Sequence, residues 1–240
     1  MPADLFVNST FYKFIRIEDP KALQLQLLKS CKDNKILGTI LLANEGINAS
    51  IGGTRQALDD FYNLIETINY LNDFDYKETL SQSQPFSKLK IKIKSEIIKF
   101  NISGLDVKNS GTRLNGHQWE ALIDRGAVVI DTRNDYEIKF GTFKNAINPG
   151  IKHFTELAKW LDDNLSSVNP DRPIAMFCTG GVRCEKSTAY LVEKGFKNVY
   201  HLNGGIIGYL NESKHKEQYW DGNCFVFDDR IAIDKNLQAA

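Results

Sequence analysis

The segment RPIAMFCTGGVRCEKSTAYLVEKGF, residues 172–196, passes from an apolar run through a glycine-rich turn into a helical pattern. An apolar run bounded by a turn reads as a strand buried on both faces, and such strands belong to parallel sheets covered by helices. In an open α/β sheet, ligands bind beyond the carboxyl ends of the strands. Cys178 stands at such an end. The helix is expected to start at Arg183 or Cys184, so the backbone N–H groups of Thr179, Gly180, Gly181, Val182 and Arg183 can curl round the sulfur. With the positive end of the helix dipole, those donors favour an anion and lower the thiol pKa. Cys178 is thereby a candidate thiolate nucleophile.

The flanking sequence continues the alternation. HQWEALIDRG reads as a helix, AVVIDTR as a buried strand, FTELAKWLDDNL as an amphipathic helix and NVYHL as a further strand before NGGIIGYL. Strands alternating with helices argue for a three-layer α/β domain with a parallel sheet. It is placed at residues 119–218, with a C-terminal segment at 219–240. Upstream, NISGLDVKNSGTRLNG has three glycines and no periodicity, so residues 101–118 read as a linker.

Residues 1–100 follow another plan. NSTFYKFIRI reads as a strand, EDPKALQLQLLKSCKDN as a helix opened by acidic residues and Pro20, and ILGTILLANEGINASIGG as two strands around a turn at Gly46. TRQALDDFYNLIETINYL is a second helix with Thr54 as its N-cap, and FSKLKIKIKSEIIKF reads as the closing strand. This β-α-β-β-α-β order is the ferredoxin-like α+β pattern, with both helices on one face of an antiparallel sheet. Asn44, Glu45 and Asn48 of the turn are polar groups available to a cleft.

Bulk properties exclude several classes. Lysine plus arginine and aspartate plus glutamate number 30 each, so no global field steers the chain toward nucleic acid. The start MPADLFVNSTFYKF lacks the basic and apolar regions of a secretory signal, and no window reaches the length of a membrane span. Four cysteines are too few for a disulfide scaffold and show no paired zinc spacing. A reducing, cytoplasmic setting with free thiols is the expectation, with no membrane partner, no metal site and no signal for an oligomeric state.

Within the loop, Cys178 and Cys184 have no further cysteine pair to complete a zinc clip, and five residues separate them where a dithiol redox pair has two. A cysteine phosphatase needs five residues between cysteine and arginine. Only four lie between Cys178 and Arg183, a tighter cradle sized for a small group such as one extra sulfur atom. Arg183 either closes the loop through backbone carbonyls, presents charge to a bound anion, or is an exposed arginine at the helix start. Asp131 and Arg133 end a neighbouring strand: Asp131 as a hydrogen-bonding support, Arg133 as a substrate contact, or both as an ordinary ion pair. Cys184 either resolves a persulfide or disulfide on Cys178 or simply packs. Cys31 and Cys224 read as structural, and His117, His153, His201 and His215 form no ligand cluster.

In KLKIKIK, strand geometry places Lys88, Lys90, Lys92 and Lys94 on one face and Leu89, Ile91 and Ile93 on the other. The lysines suit a phosphate-tracking stripe for RNA, or equally an edge strand guarded against aggregation.

Three pieces of the second half resemble a rhodanese domain: IDTRNDYEIKFGTFKNAIN, FCTGGVR and LNGGIIGYL. Thr142 stands where that family usually has histidine, and Tyr209 where it usually has tryptophan. More widely, LLANEGINASIGG, GTRLNGHQWEALID, CTGGVRCEKSTAYL and CFVFDDRIAI together resemble the bacterial tRNA uridine hydroxylases. Longer members of that family continue past FDDR into a cysteine-rich tail, whereas this sequence ends at IDKNLQAA, so no tail function is carried over. The resemblance implies tRNA as partner, molecular oxygen as co-substrate, and conversion of the wobble uridine to 5-hydroxyuridine with Cys178 as the essential, potentially persulfide-bearing cysteine. It also tips the lysine stripe toward RNA backbone. No haem, flavin, iron or nicotinamide signature is evident, so the substrate itself must be made electron-rich. Two alternatives remain open: a sulfurtransferase carrying a persulfide on Cys178, and a non-catalytic RNA- or partner-binding module.

Overall fold

The aromatic-rich start of the chain forms β1 (Phe6–Phe14) in the computed structural model, which describes residues 5–240. There follow α1 (Pro20–Asp33), β2 (Leu37–Ala43), β3 (Gly46–Gly53), α2 (Arg55–Glu66), β4 (Lys77–Ser81) and β5 (Leu89–Ile93). Each helix starts where the sequence supplies a cap: Asp19 Oδ1 accepts from the N–H groups of Lys21 and Ala22, and Thr54 Oγ1 from that of Ala57. Helical spacing then buries Leu23, Leu27 and Cys31 of α1, and Ala57, Leu58, Phe61 and Ile65 of α2. These pack with Phe11, Ile40, Ile47 and Ile51 of the sheet in one core.

The sheet order β4-β1-β3-β2-β5 corrects the expected pattern. The strand that completes the β-α-β-β-α-β unit is β4, antiparallel to β1. It escapes sequence reading because its pattern is inverted: Thr79 is buried and Leu80 is exposed. LKIKI is instead an added fifth strand at the opposite edge, parallel to β2, so the sheet is mixed. The polar groups of the β2–β3 turn are committed to the fold rather than to a cleft. Asn44 Nδ2 donates to Ile17 O, Asn48 Nδ2 donates to Ile97 O, and Glu45 Oε1 accepts from Ile97 N.

The second unit begins at Lys99. It contains β6 (Thr112–Leu114), α3 (Gly116–Asp124), β7 (Val128–Asp131), α4 (Asp135–Ile138), β8 (Gly141–Phe143), α5 (Leu157–Leu165), β9 (Ile174–Phe177), α6 (Val182–Glu193), β10 (Val199–Leu202), α7 (Gly205–Glu212), α8 (Lys216–Tyr219), β11 (Trp220–Gly222), β12 (Cys224–Phe225) and β13 (Ala232–Ile233). Its main sheet, β6-β10-β9-β7, is parallel throughout. One core joins Trp119 of α3 and Ile206, Tyr209 and Leu210 of α7 to Val129, Phe177 and Leu202 of the sheet. α6 packs on β9 and β10, with α5 against α6.

The stretch read as a linker is built into this unit. β6 pairs with β10, Gly111 N donates to Thr188 Oγ1 at 3.0 Å, and Ser110 Oγ donates to Glu185 Oε2 at 2.9 Å. A short strand with few apolar residues leaves no periodic signal. In the C-terminal segment, β11 pairs with β8 and β12 with β13, while Phe227–Ile231 belong with the first unit. There Arg230 pairs with Asp228 and donates to Thr79 Oγ1.

Candidate active site

β7 and β9 lie side by side in parallel, with Asp131 opposite Phe177, so the chain leaves both strands at the same edge. One exit carries Cys178, the other Thr132 to Ile138. α6 starts at Val182, one or two residues earlier than expected, with Gly181 left-handed at φ 102° as its N-cap. That conformation turns the Gly181 N–H back onto the Cys178 sulfur at 3.1 Å.

The sulfur is nearly sealed, with 1% of the residue exposed. Burial alone would raise its pKa. The Cys184 thiol, the Arg183 charge and the N–H groups of Arg183 and Gly181 outweigh burial and bring Cys178 down to about 6. Cys184 moves the opposite way, raised by burial and by its hydrogen bond to Cys178. The pair therefore holds one proton, on Cys184, which donates to the Cys178 thiolate. Cys184 Sγ also lies 3.7 Å from Thr132 Oγ1, which donates to Phe177 O at 2.9 Å. The fold brings Cys184, which spacing alone leaves between a resolving and a packing role, to the Cys178 sulfur.

Arg183 is buried rather than exposed at the helix start. Its guanidinium is engaged by Glu137 through two bonds of 2.7 Å, with side-chain exposures of 6% and 0%. Burial would raise the Glu137 carboxyl, but the Arg183 charge and hydrogen bonds hold it below the usual carboxylate range. Glu137 Oε2 also accepts from Asn134 N at 3.0 Å, so α4 and α6 are locked through one carboxylate. Its only trace in the sequence is the N-D-Y-E spacing of a helix start.

Arg133 is likewise turned inward. It is fully buried, with Nε and Nη2 on Asp131, Nη2 also on Gly141 O at 2.6 Å, and the guanidinium over the rings of Phe177 and Trp220. Asp131 additionally accepts from Thr142 Oγ1 at 2.8 Å, so the threonine in place of histidine supports the strand-end ion pair. This pair braces the loop floor from behind.

A third grip comes from the NGG segment. Ile206 N donates to Cys178 O at 2.9 Å and Ile207 N to Thr179 O at 3.1 Å. Gly205, at φ 60°, lets α7 approach so closely that a Cβ there would lie 2.6 Å from Thr179 O and 2.8 Å from Gly181 N. Of the loop residues, Gly180 and Val182 reach the surface in part, while Thr179, Gly181 and Arg183 are buried.

Lys88, Lys90, Lys92 and Lys94 are all exposed, along an edge strand of the first unit. Cys31 and Cys224 are buried thiols pushed up to about 12 by burial, the state of inert packing cysteines. Among the described residues, no three His, Cys, Asp or Glu side chains gather as a metal site, and no helix is long and apolar enough to cross a membrane.

Comparison with known proteins adds the family. Residues 6–97 match the model of the UPF0176 acylphosphatase-like domain, and residues 116–212 that of the rhodanese-like domain. A protein named tRNA uridine(34) hydroxylase from Wolbachia sp. subsp. Brugia malayi (strain TRS) is 45% identical over 97% of this chain and 86% of its own length. One of the same name from Ehrlichia canis (strain Jake) is 45% identical over 97% and 85%. Another, from Wolbachia pipientis subsp. Culex pipiens (strain wPip), is 44% identical over 97% and 82%.

Proposed function

Because the chain belongs to the tRNA uridine(34) hydroxylase family, we propose that it hydroxylates the wobble uridine of tRNA to 5-hydroxyuridine, with Cys178 as the catalytic nucleophile. The observation that carries the role of Cys178 is its environment: a buried sulfur accepting from Gly181 N at 3.1 Å, with the Cys184 thiol and the Arg183 charge lowering its pKa to about 6.

C5 of uracil is a poor electron donor. Addition of the Cys178 thiolate to C6 breaks the C5–C6 double bond and delocalises the pair as an enolate, which makes C5 nucleophilic. A uridine swung out of its stack is what brings C6 to a sealed sulfur. Molecular oxygen is the co-substrate: one atom goes to C5 and the other leaves as water, with two electrons and two protons from a thiol reductant. Loss of the C5 proton and departure of the thiolate from C6 restore the ring. The loop N–H groups stabilise the sulfur as it returns. The lysines at 88, 90, 92 and 94 serve as RNA backbone contacts, and the setting is the cytoplasm, where tRNA is found. The test is incubation of the purified protein with unmodified tRNA under ¹⁸O₂ and a thiol. One ¹⁸O at uridine 34 is expected. A thiolated nucleoside instead would establish sulfur transfer, and unchanged tRNA would leave only binding.

A further inference from the structure

Among the described residues of the second unit, the exposed large apolar side chains are Tyr136, Phe140 and Ile147, and all three come from the segment after β7. The aromatic pair is 45% and 39% exposed. Elsewhere the unit's large rings are buried or half-buried, so this concentration marks a contact surface. Both rings rest on half-buried Phe225, each with centroids 5.4 Å apart, Tyr136 edge-on at 84° and Phe140 tilted at 56°.

The surface is rigid and adjoins the catalytic loop. Tyr136 immediately precedes Glu137, whose carboxylate engages Arg183 and accepts weakly from Thr179 Oγ1 at 3.5 Å. Phe140 O accepts from Asn223 N at 2.7 Å, and the next carbonyl, Gly141 O, accepts from Arg133. Rings fixed before the ligand arrives lose little entropy on binding. A basic side chain accompanies them: Lys139, adjacent to Phe140 in sequence, is 70% exposed and pairs with Asp135 at the surface.

We infer that Tyr136 and Phe140 form a stacking platform for a nucleobase adjoining the target uridine in the anticodon loop. This rests on the tRNA reading above. Single-stranded RNA is held by aromatic faces that stack unpaired bases while cations track the phosphates. Extruding one base unstacks its neighbours, and a platform beside the catalytic loop replaces the lost stacking.

The test uses the full chain and a synthetic anticodon stem-loop, unmodified or with an abasic site at position 33 or 35. Tyr136→Ala and Phe140→Ala should each raise the KM for the intact stem-loop roughly five- to thirty-fold, the lower range of a lost base stack. kcat should change far less, Tyr136→Phe should behave as the parent, and circular dichroism should show the fold retained in each variant. With the abasic RNA, the parent should lose the same factor and Tyr136→Ala should lose nothing more. Unchanged KM in both alanine variants would overturn the platform, as would equal losses on intact and both abasic RNAs. Self-association abolished by Tyr136→Ala without an effect on RNA would assign the patch to a second copy instead, also overturning it. If the parent chain hydroxylates no RNA, the tRNA reading itself fails, a result distinct from either.

Discussion

Replacing Glu137 by Gln removes one charge from the centre of the second unit while keeping volume and shape. The cost follows from burial: Glu137 and Arg183 are 0% and 6% exposed at the side chain and share two bonds of 2.7 Å. Glutamine retains one acceptor oxygen, so one of the two charge-assisted bonds is lost and the buried guanidinium loses the carboxylate bonded to it, keeping only the weaker charges of Cys178 and Asp131. Breaking a buried pair from one side costs about 3–5 kcal/mol. All three tryptophans, Trp119, Trp160 and Trp220, lie in the second unit, so their fluorescence in a urea titration reports that unit's unfolding alone. The Glu137→Leu/Arg183→Met double variant should recover most of the loss, since an apolar pair of similar volume is tolerated. In the single variant the unopposed Arg183 charge should draw the Cys178 alkylation midpoint below about 6. A loss under ~1 kcal/mol, the worth of an exposed pair, would refute the account of Arg183 as a buried structural clamp.

Four further outcomes follow. Cys184→Ala removes the thiol that donates to Cys178, so the iodoacetamide reaction, half-maximal near pH 6 in the parent, should shift to higher pH; an unmoved midpoint would deny the donor role. Because the folded thiol is depressed from about 9, it contributes stability in full above pH 9 and loses it as pH falls through about 6, so the parent should show this decline in urea midpoints and Cys178→Ala should not. Gly205→Ala forces a Cβ against the Thr179 carbonyl and should abolish hydroxylation and slow Cys178 alkylation while the secondary structure persists by circular dichroism. Changing Lys88, Lys90, Lys92 and Lys94 to Gln should weaken tRNA binding and flatten its salt dependence by roughly 0.7–0.9 log units per lost phosphate contact; an unchanged slope would assign the lysines to edge protection alone.

The parallel sheet and its reactive loop were legible because the sequence there obeys local rules: an apolar strand, two glycines, then a helix. What stayed hidden depends on contacts across the fold. Linear spacing gave no sign that Arg183 meets Glu137, or that Arg133 turns inward onto Asp131 and Gly141. Charged residues beside a reactive loop invite an assignment to substrate, yet here two arginines are spent on holding the loop. β4 escapes sequence recognition for a different reason: a buried Thr79 beside an exposed Leu80 reverses the alternation on which strand recognition depends. The lysine alternation of β5 was readable, but not its place as an added edge strand parallel to β2. The closeness of Cys184 to Cys178 needed the turn at Gly181, which reverses the chain and brings the first helical turn over the sulfur.

The central claim is that the Cys178 thiolate performs oxygenation of uridine 34. The direct measurement is mass analysis of tRNA nucleosides from cells lacking the protein, complemented with the parent chain or with Cys178→Ala. The parent should restore 5-hydroxyuridine and its derivatives, and Cys178→Ala, expressed at the same level, should restore none. Equal restoration by the variant, or a deficit confined to thiolated nucleosides, would contradict the account.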